Sequence, residues 1–187
     1  MAVKKAAAKP AKDAAAPDYS KSPWAAAFER KAGERKYWLL KSEPSTFSFD
    51  DLMKAAAKTT GWDGVRNYAA RNFMRDAMKI GDLAFYYHSS IDPQVIVGIV
   101  EVVREGYPDP TALDKTHPHF DPDSDPAAPT WIQVDVKAVE RFAKPVTLAA
   151  MKARKELATM ALIRIGRLSV TPVTKAEWGV ILTMAKN

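Results

Sequence analysis

Between Trp62 and Asn72 the chain brings two flat aromatic rings, two guanidinium groups and two carboxamides into eleven residues: Trp62-Asp-Gly-Val65-Arg66-Asn67-Tyr68-Ala-Ala-Arg71-Asn72. Asn67 suits the N-cap of a helix over Tyr68–Met78, because its side-chain oxygen can accept from the first free backbone N–H groups. That helix would set Arg71 and Arg75 four residues apart on one face, beside a helix end that favours anions. Aromatic rings stack on bases, and guanidinium groups clamp phosphates. The same pattern also fits a capped helix whose arginines pair with surface acids and whose Trp62 is core. The residues alone leave both readings open.

Three further groups carry chemistry. Tyr86-Tyr87-His88-Ser89-Ser90 ends an apolar run. Strand alternation puts Tyr87 and Ser89 on one face and Tyr86, His88 and Ser90 on the other. Tyr87 and Ser89 at the mouth of a barrel could stack on a ring and bond its edge. His88 has the chemistry of a general base, but no partner for it is visible, and a satisfied structural histidine is the simpler state. Ser42 and Glu43, in Lys41-Ser-Glu-Pro44, could read base-edge donors or serve the following turn. Glu43 lacks a second acid at a compelling spacing for acid–base catalysis. Finally, His117-Pro-His119 precedes Asp121-x-Asp123-x-Asp125, which imitates the start of a calcium loop. The imitation fails at its sixth position, Pro126 where glycine is needed, and at its twelfth, Ile132 where glutamate is needed. No metal and no cofactor is expected.

Composition narrows the field. The chain has 187 residues, net charge +6, 13 prolines and no cysteine. Disulfides, thiolate nucleophiles and Cys-based zinc sites are excluded. The 8 glycines form neither a G-x-G-x-x-G fingerprint nor a P-loop. No stretch approaches the ~20 apolar residues of a membrane span. Residues 1–35 hold eight Lys/Arg against four acids, and residues 36–187 hold 20 against 18. The first 35 residues, rich in Ala, Lys and Pro, read as a disordered basic tail that adds attraction to phosphates. Trp24 and Phe28 break that pattern at i, i+4 spacing, enough for a short turn docked on the body.

The elements that position these groups follow from periodicity and breakers. Tyr37–Lys41 reads as a strand stopped by Pro44. Ser48 starts a helix running through Lys58, with Asp51 as its capping-box partner. Leu83–His88, Gln94–Arg104, Trp131–Phe142 and Leu168–Val173 read as strands. Thr147–Leu157 reads as a helix, and Thr174 with Glu177 caps a last one. Residues 107–131, with six prolines, form a long loop of the kind that is usually functional. Strands that lead directly into one another argue against a doubly wound sheet and for an α+β fold: a small, curved, mostly antiparallel sheet or partial barrel with helices at its rim.

Taken in order, Tyr37-Trp-Leu-Leu-Lys-Ser-Glu-Pro44, Trp62–Asn72, Phe85-Tyr-Tyr-His-Ser89, Val97-Gly-Ile-Val-Glu-Val-Val103 and Gly166-Arg-Leu-Ser-Val170 resemble the EVE-domain family over residues 36–185. The resemblance implies a PUA-like curved β-barrel with flanking helices, and a pocket that accepts a single, modified base of DNA or RNA. By motif, it implies pocket roles for Ser42, Glu43, Trp62, Val65, Arg66, Asn67, Tyr68, Arg71, Asn72, Tyr87, His88, Ser89, Arg167 and Ser169. A non-catalytic reader acting as a monomer is the leading expectation. It would be cytoplasmic, and nucleoid-associated in a bacterium or nuclear in a eukaryote. The alternatives are an RNA-binding module for a modified nucleoside and an enzyme acting on a flipped base.

Overall fold

The computed structural model describes residues 17–186. A short helix, α1 (Ala25–Phe28), precedes strand β1 (Tyr37–Ser42). Helix α2 (Phe49–Lys54), strand β2 (Thr59–Gly61) and helix α3 (Tyr68–Asn72) then lead to β3 (Leu83–His88). Two long strands follow, β4 (Val95–Pro108) and β5 (Ile132–Thr147), then α4 (Leu148–Lys152), α5 (Ala161–Arg164), β6 (Val170–Val173) and α6 (Lys175–Lys186). The strands form one six-stranded sheet in the order β2-β5-β4-β3-β1-β6. Every neighbouring pair is antiparallel except β1 and β3. That parallel pair needs a crossover, which α2, β2 and α3 supply.

The class is α+β, and the sheet is curled but open, with β2 and β6 as its edges. Repeated register shifts between β4 and β5 curl it, because each extra residue bends its strand. At Gly98 the strands come so close that a Cβ would sit 2.4 Å from the Glu140 carbonyl. One face packs Trp38, Leu40, Trp62, Phe73 and Tyr86. The other packs Leu39, Phe85, Tyr87, Phe142 and Trp178.

Several elements differ from their sequence reading. The helix begun at Ser48 has the expected capping box but ends at Lys54. Ala57 and Lys58 take positive φ, turning the chain into β2, a three-residue edge strand too short to show a pattern. The helix capped by Asn67 runs its expected length, but residues 73–77 widen into a π turn closed by Met78 N–H on the Phe73 carbonyl at 2.8 Å. The helix from Thr147 stops at Lys152, and α5 was not foreseen.

The tail expectation divides in two. Residues 1–16 lie outside the described residues. Within residues 17–35, Tyr19, Trp24, Phe28 and Arg30 contact the body, as the docked-turn reading of Trp24 and Phe28 allows, while 31–35 are exposed. The Tyr19 ring stacks on Phe28 with centroids 3.5 Å apart, and Trp24 meets Phe73 edge-on at 5.7 Å. Arg30 forks onto Asp82 with bonds of 2.8 and 2.6 Å. Asp82 is buried and also accepts from Trp38 Nε1 and from the backbone N–H groups of Lys36 and Lys79. Burial alone would raise its pKa, but these donors outweigh burial and hold it below the ordinary carboxylate value. Apolar anchors and a buried ion pair thus order a segment whose composition suggests a leader.

Removing one partner of a buried pair strands the other charge. Arg30→Ala should therefore lower unfolding stability by about 3 kcal/mol, measured by denaturant titration. A loss below about 0.5 kcal/mol would mean that the segment is a loose attachment.

Candidate functional site

The gap left by the open sheet is a cleft of about 540 Å³, within the range of small-ligand sites. The end of β1 supplies Lys41 and Ser42, followed by Glu43, Thr46 and Phe47. β2 supplies Thr60 and Gly61, and the segment after it Trp62, Asp63, Gly64 and Val65. Ser169, just before β6, and His119, from the proline-rich loop, complete the lining. Of the residues singled out from sequence, the cleft brings together Ser42, Glu43, Trp62, Val65 and Ser169.

Trp62 is buried, 6% exposed. Its ring meets Tyr86 edge-on at 5.3 Å, and its backbone N–H donates to the Val134 carbonyl. It is both core and cleft wall, so the two readings of this residue are not exclusive. Ser42 Oγ donates to the Phe47 carbonyl at 2.6 Å, and Glu43 Oε1 accepts from Ser90 Oγ at 3.0 Å. Ser89 supports the rim, its N–H and Oγ both donating to the Ser42 carbonyl.

Other expected residues serve elsewhere. Tyr87 does not reach the cleft. It lies in the opposite core, buried, with its hydroxyl on Gln94, because Tyr86 is the member of that pair facing Trp62. His88 Nε2 accepts from the Phe49 N–H at 3.1 Å. That bond requires an unprotonated Nε2, and desolvation with the nearby Arg141 lowers the His88 pKa accordingly. Arg66 is a staple. It pairs with Asp109 at 2.7 Å, donates to Thr111 Oγ1, and donates to the His119 carbonyl through Nε and Nη2. Asn67 caps α3 as expected, accepting from Ala69 and Ala70.

Beside the cleft lies a second surface. Tyr68 is 62% exposed and its ring lies 5.1 Å from Trp131. The Arg71 guanidinium sits 4.8 Å over the Tyr68 ring and bonds Asn72 Oδ1 at 2.7 Å. Arg71 is within 4.0 Å of no carboxylate among the described residues. Burial and the neighbouring Arg75 lower its pKa, so an anion beside it would relieve an uncompensated charge. Arg167 is exposed on the turn leading to Ser169.

The sequence reading missed His119, Asp63, Thr60 and Phe47 as lining residues. His119 comes from the loop set aside as an imitation calcium site. There Asp121 and Asp125 spend oxygens on the N–H groups of Asp123 and Ala127, and no cluster placed to hold a metal occurs among the described residues. Asp63 has no hydrogen-bond or ion-pair partner there. Partial burial, then the Asp109 carboxylate, push its pKa up, while His117, His119 and Arg66 pull it down less strongly.

Gly64 has φ +71°, and a Cβ there would lie 2.6 Å from the His119 ring. Gly64→Ala should cost about 1–2 kcal/mol from its left-handed backbone, plus the displacement of His119. Adding His119→Ala should recover only the second part, as read by thermal unfolding. Full recovery would mean that the backbone carries no strain.

The comparisons with known proteins bear on the family and the fold. The EVE domain profile matches residues 36–184. Human thymocyte nuclear protein 1 is 40% identical over 168 residues, 81% of this chain and 74% of the relative. A hypothetical protein from Leishmania major superposes with a TM-score of 0.79 at 51% identity, covering 83% of this chain and 98% of that one. Human THYN1 protein in complex with 5-methylcytosine-containing DNA superposes with a TM-score of 0.79 at 39% identity, covering 81% and 98%. With its residues 36–184 matched to the profile and these relatives aligned along most of its length, the chain belongs to the EVE-domain family.

Proposed function

We propose that this protein is a non-catalytic reader of DNA that takes one modified base, of the 5-methylcytosine type, into the cleft beside Trp62. The observation that carries the reading is the cleft itself. It is large enough to admit a base, walled by an aromatic ring and edged by polar groups of both signs, in a relative of a protein whose structure holds 5-methylcytosine-containing DNA. Extruding a base costs a few kcal/mol of lost stacking. Contact with an aromatic wall returns about 1–3 kcal/mol, and phosphate contacts by Arg71 and Arg167 supply sequence-independent affinity. Occupation of His88 Nε2 by a backbone donor removes the clearest candidate for a general base, which favours binding over base excision.

Duplexes differing at one cytosine test this. The methylated duplex should bind more tightly, and prolonged incubation should yield no free base and no abasic site by mass spectrometry. Trp62→Phe keeps an apolar ring in the core but shortens the wall. It should lose about 1 kcal/mol for the methylated duplex and narrow the preference. Arg71→Ala should weaken both duplexes alike and reduce the salt slope by about one. Equal affinity for both duplexes, or multiple turnovers, would sink the reading.

A further inference from the structure

We propose that Asp63 is the specificity-determining residue of the cleft, accepting a hydrogen bond from an exocyclic amino group of the bound base. This inference rests on the reading above and deepens it, since it assigns 4-amino pyrimidines and rejects their 4-oxo counterparts.

The case begins with what the cleft's polar groups already do. Ser42 Oγ is spent on the Phe47 carbonyl, and Lys41 Nζ on the Gly166 carbonyl. Glu43 Oε1 is engaged by Ser90. Asp63, exposed at the cleft, is the carboxylate there with neither a hydrogen bond nor a cation within 4.0 Å among the described residues. It is adjacent in sequence to the wall, Trp62, and lines the same cleft. A carboxylate here is repelled by Asp109 and would be repelled by any phosphate, so a backbone role is disfavoured. A base amino group is the DNA donor that matches it, as carboxylates match the cytosine amino group in duplex readout. Thymine is the informative competitor, because it keeps the 5-methyl group and replaces the amino group by a carbonyl. The carboxylate and the thymine O4 would then face each other as two acceptors, a pairing that costs affinity unless Asp63 takes up a proton.

The groups facing Asp63 set the pH behaviour. Asp109 opposes its ionisation, and His117, His119 and Arg66 favour it. The net displacement is upward, so as the pH falls Asp63 takes up its proton before an ordinary carboxylate would, and the acceptor is lost.

The test uses the full chain and duplexes carrying 5-methylcytosine or thymine opposite the same guanine. The thymine mispair is easier to extrude, so any preference for 5-methylcytosine comes from the protein. The parent should prefer 5-methylcytosine, and Asp63→Asn should lower that ratio about tenfold, since an amide offers thymine a donor. Glu43→Gln, at the other cleft carboxylate, should change the ratio less than Asp63→Asn does. Acidification should erode the parent's ratio more than that of Asp63→Asn. A parent that treats thymine and 5-methylcytosine alike, an unchanged ratio in Asp63→Asn, or a loss confined to Glu43→Gln overturns the assignment. A parent that rejects thymine but binds cytosine and 5-methylcytosine equally defeats methyl reading and leaves Asp63 in place.

Discussion

The site depends on one buried carboxylate. The Asp109 side chain is closed to solvent and accepts from the Gly64 N–H, Arg66 Nη1, the Thr111 N–H and Thr111 Oγ1, at 2.7–3.0 Å. Its own N–H donates to the Trp131 carbonyl. Burial would raise its pKa, and these donors outweigh burial and keep it ionised. Arg66 extends the set to the His119 carbonyl. The segment after β2 and the proline-rich loop are therefore one electrostatic unit, and the cleft wall made by Trp62, Asp63, Gly64 and His119 is as rigid as that unit. Asp82 does the same beyond the π turn that follows α3, fixing residues 30–38 to the turn before β3. The helix that carries Tyr68 and Arg71 is thus pinned near both ends by carboxylates that water does not reach.

An open sheet supplies the space these clamps define. A barrel closed between β2 and β6 would bury its interior polar groups and leave no mouth. Here β2 is three residues long and β6 four, and the cleft is lined by Thr60 and Gly61 on one side and by Ser42 and Ser169 on the other. Pro172 in β6 lacks a donor, which suits an edge that must not recruit a further strand. The large rings that would otherwise fill a barrel, Trp62, Phe49 and Tyr86, pack edge to face beneath the mouth.

Much of this was legible in the residues because local chemistry announced it. The capping boxes at Ser48 and Thr174 and the cap at Asn67 form as read, each satisfying backbone donors by a rule that needs no tertiary knowledge. Contacts distant in sequence were not legible. Asp82 and Arg30 are 52 residues apart, so although the spacing of Trp24 and Phe28 suggested a docked turn, nothing local revealed the ion pair that ties Arg30 to the body. Alternation correctly split Tyr86 from Tyr87 but could not say which face held the cleft: Tyr86 packs beneath it against Trp62, and Tyr87 lies in the opposite core. His119 was hidden for a similar reason: its loop looked like a failed metal site, and only the fold brings it over Gly64.

The charges around the site divide two tasks that a base reader must keep separate. Inside the cleft the ionised groups without a cation partner are carboxylates, Glu43 and Asp63, while the Lys41 amine bonds the Gly166 carbonyl. Outside it, Arg35, Arg71, Arg164 and Arg167 lie within 4.0 Å of no carboxylate among the described residues, whereas Arg30, Arg66, Arg75, Arg104, Arg141 and Arg154 are paired. If the protein reads DNA as proposed, phosphates would meet unpaired guanidinium groups outside the cleft and the carboxylates within it, so a backbone would be held at the surface and an uncharged base could enter without that repulsion. On the proposed reading, affinity rises and falls with salt through the rim, while discrimination rests on short-range contacts in the cleft that salt screens little.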